Sequence, residues 1–425
     1  MSLFPFEKME NDNNSAPYYM KRNFDVFFSF SKMTLDGSVP ADVMLYENLF
    51  EQIRVADQLG FKKAWVGEAH FSIRPEQTKE NPLLPHFNGE LCINTDILQI
   101  ASVVYPKTQN IEVGSAIRNI LVNGGPVAHA EGIRNFLTIH NRTLKESNRK
   151  LNIGFGVGRF AYANAVYGVK PRNELEKILW PVLKGKILKE AAEIFVRLLT
   201  GELLSSRDIP PKIIERESFD ETTWAKIQEI CPSQNEIEIP SFWEFEPIKI
   251  IPEEIDLSQL DLIIGTHDPL LQQYINQFHP VKVFNLSVTP NNVIDATHDQ
   301  MQKAFHKKGG VWKREYMPRT LMVFTNGDTN ISPERQSELA TEEAREAIIS
   351  YWKAMEGTVD EKKVREGMEN AVYGNPDEVY QQISNRFHKN DRIMAWFDFN
   401  TNDKNIVIRR MKDFMLLVAP KFDIE

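Results

Sequence analysis

The chain has 425 residues, 42% of them hydrophobic and 26% charged, which supplies a large core and excludes a disordered composition. Its formal charge is -9 with no long Lys/Arg run, and its two cysteines, Cys92 and Cys231, lie far apart. These features argue against a nucleic-acid surface, a disulfide framework and a zinc ribbon, and they fit a reducing cytoplasm. No stretch approaches the roughly 18 consecutive apolar residues of a membrane helix.

Residues 1–22 form an acidic, Asn-rich start with neither a basic n-region nor an apolar h-region, and they read as a flexible N-terminal arm before a single domain over 23–425. The first strand is expected over 23–30 (NFDVFFSF), then an amphipathic helix over 43–59 that stops at Gly60. The second strand, 62–67, leads into Glu68, Ala69, His70 and Phe71; a Pro-rich loop to about Asn94 and a helix through Ala101 precede the third strand, 110–116. Pro126 opens the next helix after Gly124-Gly125, and 151–155 forms the fourth strand.

A long helix is expected over 174–200. Later come strands at 261–265, 281–288, 319–325 and 392–397, each followed by a helix, the last of these helices near 402–418. Eight strand-then-helix units in this order give an α/β chain with a (β/α)8, TIM-like barrel. The stretch 201–260 breaks the rhythm with Pro-punctuated, Glu- and Ile-rich sequence containing Trp224 and Trp243. It reads as an insertion over the barrel mouth, or else as a peripheral excursion.

A barrel places its chemistry at the carboxyl ends of its strands, so Glu68 and His70 are the first candidates. Strand alternation would send both to one face, where a carboxylate would raise the imidazole pKa and fix its tautomer. The alternative is that His70 bonds a loop while Glu68 pairs with a barrel Arg. Gly154, Gly156 and Gly158 follow the fourth strand, but Arg159 breaks the dinucleotide pattern G-x-G-x-x-G, which disfavours a nicotinamide Rossmann site. A glycine-lined strand end beside Arg159 could admit a flat ring or a phosphate; a tight turn is the other reading. Thr266 could offer its hydroxyl to a phosphate, or simply cap the helix near Pro269. The nine histidines show no metal-ligand spacing, so no metal site is expected.

Glu-Ala-His-Phe after the second strand, Val-Gly-Ser-Ala in the third, Pro126-Val-Ala-His-Ala-Glu131, Gly-Phe-Gly-Val-Gly after the fourth and Tyr373-Gly-Asn-Pro376 before the last stand in an order and spacing that resembles the bacterial luciferase-like flavin monooxygenases. The resemblance spans about residues 23–421. It implies a barrel that takes FMN, reduced by a separate flavin reductase, and uses O2 to oxidise a small, partly apolar organic substrate. A sister branch uses a deazaflavin for hydride transfer. A homodimer is also implied.

By the same resemblance, Ser115 and Ala116 match residues that lie against the flavin ring and flank a cis peptide, Gly156 and Gly158 approach the flavin, and Thr266 matches a hydroxyl position. His70 matches the second histidine of a Glu-His-His motif whose first is Ala69 here, which argues against light emission from an aldehyde. Val157 stands where relatives carry a phosphate-binding Arg, leaving Arg159 as a substitute if the loop shifts. These departures keep a non-catalytic flavin-binding protein as a further alternative.

Overall fold

The computed structural model describes residues 22–33, 39–73, 84, 86–87, 89–158, 160–232 and 235–423. All of the expected arm except Arg22 lies outside them, and so does Arg159.

Nine parallel strands form the main sheet: β1 (Phe24–Phe28), β2 (Lys63–Val66), β3 (Glu112–Asn119), β4 (Leu151–Gly156), β5 (Leu260–Ile264), β6 (Val281–Val283), β7 (Arg319–Thr325), β8 (Ala371–Gly374) and β9 (Ile393–Trp396). Neighbours run in the order β6-β5-β4-β3-β2-β1-β9-β7-β8. Beyond β6, Asn285 pairs in parallel with Arg319; its amide donates to the Pro318 carbonyl at 2.9 Å and its carbonyl accepts from the Thr320 amide at 3.3 Å. That bridge joins β6 to β7 and closes a ring of eight strands, leaving β8 beside the carboxyl half of β7. The expected (β/α)8 architecture is therefore present, with one strand more than the sequence reading gave.

Residues on both faces of such strands are covered, which explains runs such as FDVFF in which all five residues are buried. Alternation divides them. Phe27 and Trp396 point into the ring and meet edge to face at 5.0 Å, whereas Phe28, Phe30 and Phe397 pack outward against the helices. Trp65, Ile263, Phe284 and Met394 join the inward pair and fill the middle of the barrel. Gly114 is required there, because a Cβ on it would strike the Trp65 ring.

The helices begin and end where their sequences direct. Helix α1 (Asp42–Leu59) stops at Gly60, whose φ of 88° suits a left-handed cap, and α2 (Ile97–Val104) starts at Asp96, whose side chain accepts the Leu98 amide. Helix α3 (Gly125–Ser147) has Pro126 in its first turn.

The stretch 201–260 carries more regular structure than expected: Lys212–Glu215 pairs antiparallel with Glu236–Ile239, and Glu221–Ile230 is a helix that buries Trp224. Arg134 of α3 anchors it, donating to the Pro252, Glu253 and Leu199 carbonyls. It packs along the Glu174–Leu199 helix and on α3, where Gln259 donates to the Asn141 carbonyl at 3.1 Å and Trp243 lies against Gly125. The hairpin and helix form because alternating Ile residues and Trp224 bury one face on that helix.

Candidate active site

Because the strands are parallel, all of their carboxyl ends open on one side, and a cavity of about 1160 Å3, counting space open to solvent, lies there. Phe27 and Ser29, Gly67 to Phe71, Ala116 and Asn119, Gly158 and Trp396 line it from successive strand ends. Phe87, Leu91, Phe160 and Phe399 form its outer, apolar walls. None of the described residues of 201–260 lines it, so the expected narrowing of the mouth by this insertion is replaced by a peripheral position.

Glu68 and His70 both line this cavity but do different things. The buried Glu68 carboxylate accepts from Arg118 Nη1 at 3.2 Å, Ser115 Oγ at 3.2 Å and the Ile97 amide at 3.4 Å. Burial pushes its pKa up to about 7, with Arg118 opposing the rise. Arg118 also donates to Asp96 at 2.8 Å, and its Nε donates to His129 Nδ1 at 2.8 Å. His129 is thereby left with its proton on Nε2, facing the Val122 carbonyl at 3.0 Å. Burial and the adjacent guanidinium lower the His129 pKa to about 3 and keep the ring neutral.

His70 has no hydrogen bond to Glu68. Its buried Nε2 has no hydrogen-bond partner among the described residues, and its carbonyl accepts from the Tyr162 hydroxyl at 3.1 Å. The expected rise in its pKa is reversed: burial lowers it first and Arg118 second, with Asp96 opposing. The loop is pinned on the other side by Asn94, whose side chain donates to the Gly67 carbonyl and whose carbonyl accepts from the Ala69 amide, both at 2.9 Å. The site thus holds a neutral imidazole on a fixed backbone beside an apolar space.

The shoulder of β3 contributes Ala116, which lines the cavity, and a cis peptide joins Ala116 to Ile117. Ser115 is fully buried and bonds Glu68, so its side chain supports the network from behind and does not face the cavity. Strand pairing shifts register between Ser115 and Arg118, which brings Arg118 to Glu68.

The glycine turn has a local cause. A Cβ on Gly154 would collide with the Ser115 carbonyl oxygen, and Gly158, with φ of 71°, is packed against the Asn119 side chain. Gly158 lines the cavity, whereas Gly156 faces Ile117 and the Gly265 carbonyl. Thr266 lies off the cavity; its hydroxyl accepts from the Asp268 amide at 3.2 Å. Asp268 is the residue that caps the following helix, accepting the Leu270 and Leu271 amides.

Arg118, Asp96, His129, Asn119 and Tyr162 were not singled out from sequence. The signal available was the run EVGSAIRN, which continues a strand past Ala116 and places an Arg two residues on.

Residues 24–139 match the sequence model of the luciferase-like monooxygenase family. Solved structures agree over nearly the whole chain. Monooxygenase RslO1 from Streptomyces bottropensis superposes with a TM-score of 0.61 at 14% identity, covering 94% of this chain and 99% of its own. The chain shares the fold of this monooxygenase. A second structure, the oxygenating constituent of 3,6-diketocamphane monooxygenase from Pseudomonas putida in complex with FMN, gives 0.55 at 11% identity, with 94% and 98% covered. An F420-dependent secondary alcohol dehydrogenase, in complex with an F420-acetone adduct, gives 0.55 at 10% identity with the same coverage. No curated protein sequence matches the chain. Among the described residues, no helix is long and apolar enough to cross a membrane.

Proposed function

We propose that the protein is an FMN-dependent monooxygenase that takes reduced flavin and O2 and oxidises a small, partly apolar organic molecule in the cavity at the carboxyl ends of the strands. The observation that carries this reading is the buried His70 Nε2, unpartnered in a cavity whose inner wall is the Ala116 and Gly158 backbone and whose outer wall is aromatic. Small residues on one side and flat apolar residues on the other suit a planar ring with an apolar substrate stacked beside it.

The group supplies the redox chemistry when bound; the chain supplies position and proton handling. Ala116 and Gly158 would lie against the ring, with Gly156 supporting the turn. His70, neutral at pH 7 because burial lowers its pKa, would donate or accept a proton at Nε2. Glu68 would act through Arg118 and Ser115 to hold the β3 shoulder, and the aromatic walls would keep water out. Thr266 and Arg159 remain candidates for the phosphate end.

A separate reductase would deliver the reduced flavin, in keeping with the diketocamphane relative's description as an oxygenating constituent. A homodimer in a reducing cytoplasm completes the reading. The second reading is a deazaflavin-dependent hydride-transfer oxidoreductase, which the equal TM-score of the alcohol dehydrogenase favours.

Parallel calorimetric titrations of the purified chain with FMN, with FMNH2 under anaerobic conditions and with the deazaflavin decide between them. Tighter binding of FMNH2 is expected. Preference for the deazaflavin would replace the first reading by the second, and no binding of any of the three would overturn both.

A further inference from the structure

The amino ends of the strands build a second cavity, of about 880 Å3 counting space open to solvent, on the opposite side of the barrel from the candidate active site. Lys63 opens β2, Glu112 opens β3, and Asp261 lies at the start of β5, so the parallel register gathers their side chains there. The apolar filling of Trp65, Phe27, Ile263, Phe284 and Met394 separates the two cavities.

The charge here runs against that of the whole chain. Five Lys and Arg side chains line this cavity against Glu112, Asp261 and Glu315, in a protein whose formal charge is -9, and Glu315 pairs with Lys313 at 3.4 Å, outside the lining. Arg392 is already neutralised by a two-pronged contact with Asp25, at 2.7 Å for each nitrogen. Asp261 alone holds three ammonium groups, Lys282 at 2.6 Å and Lys63 and Lys150 at 3.3 Å. Lys63 shares itself with Glu112 at 2.9 Å, but among the described residues Lys150 and Lys282 pair with no second carboxylate, and they sit on different oxygens of Asp261. One carboxylate cannot balance two such cations together with part of a third.

We propose that this end of the barrel is a binding site for a small oxyanion, a phosphate or a carboxylate, held between Lys150 and Lys282 beside Asp261. An anion there would supply the missing charge, and the partly exposed Lys150 would let it enter while Lys282 forms the floor. The Lys282 ammonium also lies over the Tyr316 ring at 4.4 Å, which fixes its direction. In agreement, burial lowers the Lys282 pKa to about 8, with Lys63 and Lys150 adding to the fall. The site needs no flavin and is independent of the reading of the other cavity.

The test is isothermal titration calorimetry of the full chain with inorganic phosphate, with citrate and acetate in parallel, against sodium chloride at matched ionic strength. Saturable 1:1 binding is expected, weakened at least tenfold in Lys150→Gln and in Lys282→Met, with folding of each variant followed by circular dichroism. Lys150→Gln removes a half-exposed group and preserves the fold if Lys282→Met does not. Preference for citrate or acetate would assign the site to organic acids, and preference for phosphate to phosphoryl ligands. Heats equal to the chloride control, or unchanged affinity in Lys150→Gln, would overturn the proposal.

Discussion

The Arg118 guanidinium stands 3.2 Å from the Glu68 carboxylate, and that contact rather than a pairing with His70 determines where Glu68 points. Both side chains are almost fully buried, and Arg118 serves Asp96 and His129 as well. Replacing it by Met would leave two carboxylates facing one another without a counter-charge. Removing one partner from such a buried pair costs about 3–5 kcal/mol. Urea denaturation of Arg118→Met at pH 7 should show a loss of that size, and a loss below about 1 kcal/mol would mean that the network is not a structural tie.

Glu68 has a pH signature of its own. Its folded pKa, about 7, lies above the ordinary value of 4.5, so the folded state holds a proton that the unfolded chain has released between those two values. Its contribution to stability therefore declines as pH rises from about 4.5 to about 7 and levels off above. Glu68→Gln should flatten this segment of the urea-midpoint profile; an unchanged slope would exclude Glu68 as its source.

His70 should matter to turnover and not to folding. Because its Nε2 bonds none of the described residues, His70→Ala removes no hydrogen bond to them at that atom. A positioned acid or base contributes about 10²–10⁴-fold. Flavin-dependent oxygen consumption should fall by at least about 10²-fold, with the melting temperature nearly unchanged. Equal turnover in the mutant would remove His70 from the chemistry.

At the far end of the barrel, burial opposes ionisation of Asp261, yet Lys63, Lys282 and Lys150 hold its carboxyl below the usual range. Such a group stabilises the fold above its unfolded pKa, and this contribution is lost as pH falls through the lowered folded value. Asp261→Asn should cost about 3–5 kcal/mol at pH 7, and the difference from the parent should narrow only below about pH 4. A difference independent of pH would show that packing and not charge is responsible.

Gly154→Ala tests the cause given for the glycine turn. Its Cβ would meet the Ser115 carbonyl, part of the backbone, so β3 and β4 would have to part. Overpacking of this kind costs about 1–3 kcal/mol. A neutral substitution would return the glycines to a role in ligand approach.

Most of the barrel was legible in the chain because its signals are local. Gly60 and Pro126 mark helix boundaries by their own backbone restrictions, and the 319–325 strand was placed residue for residue from its apolar run. The unit comprising Glu361–Asn370, β8 and Pro376–Arg386 was missed, since the charged helix EKKVREGMEN buries only Val364 and gives little apolar rhythm. The position of 201–260 was open for a different reason: a hairpin shows that it pairs with itself, not which face of the barrel it covers. The strand-end rule pointed to His70 and Glu68, which both line the cavity, but the Arg118 clamp joins β3, the Glu68 loop and the cap of α2. Residues so far apart in sequence leave no spacing to read.

The aromatic filling around Trp65 and Phe27 has a consequence for traffic. A cylinder stopped at its waist has no through passage, so whatever enters at the carboxyl ends leaves by the same doorway. Were two ligands held one behind the other, as proposed, the deeper would have to arrive first and depart last, each crossing the rim of Phe87, Phe160 and Phe399 twice.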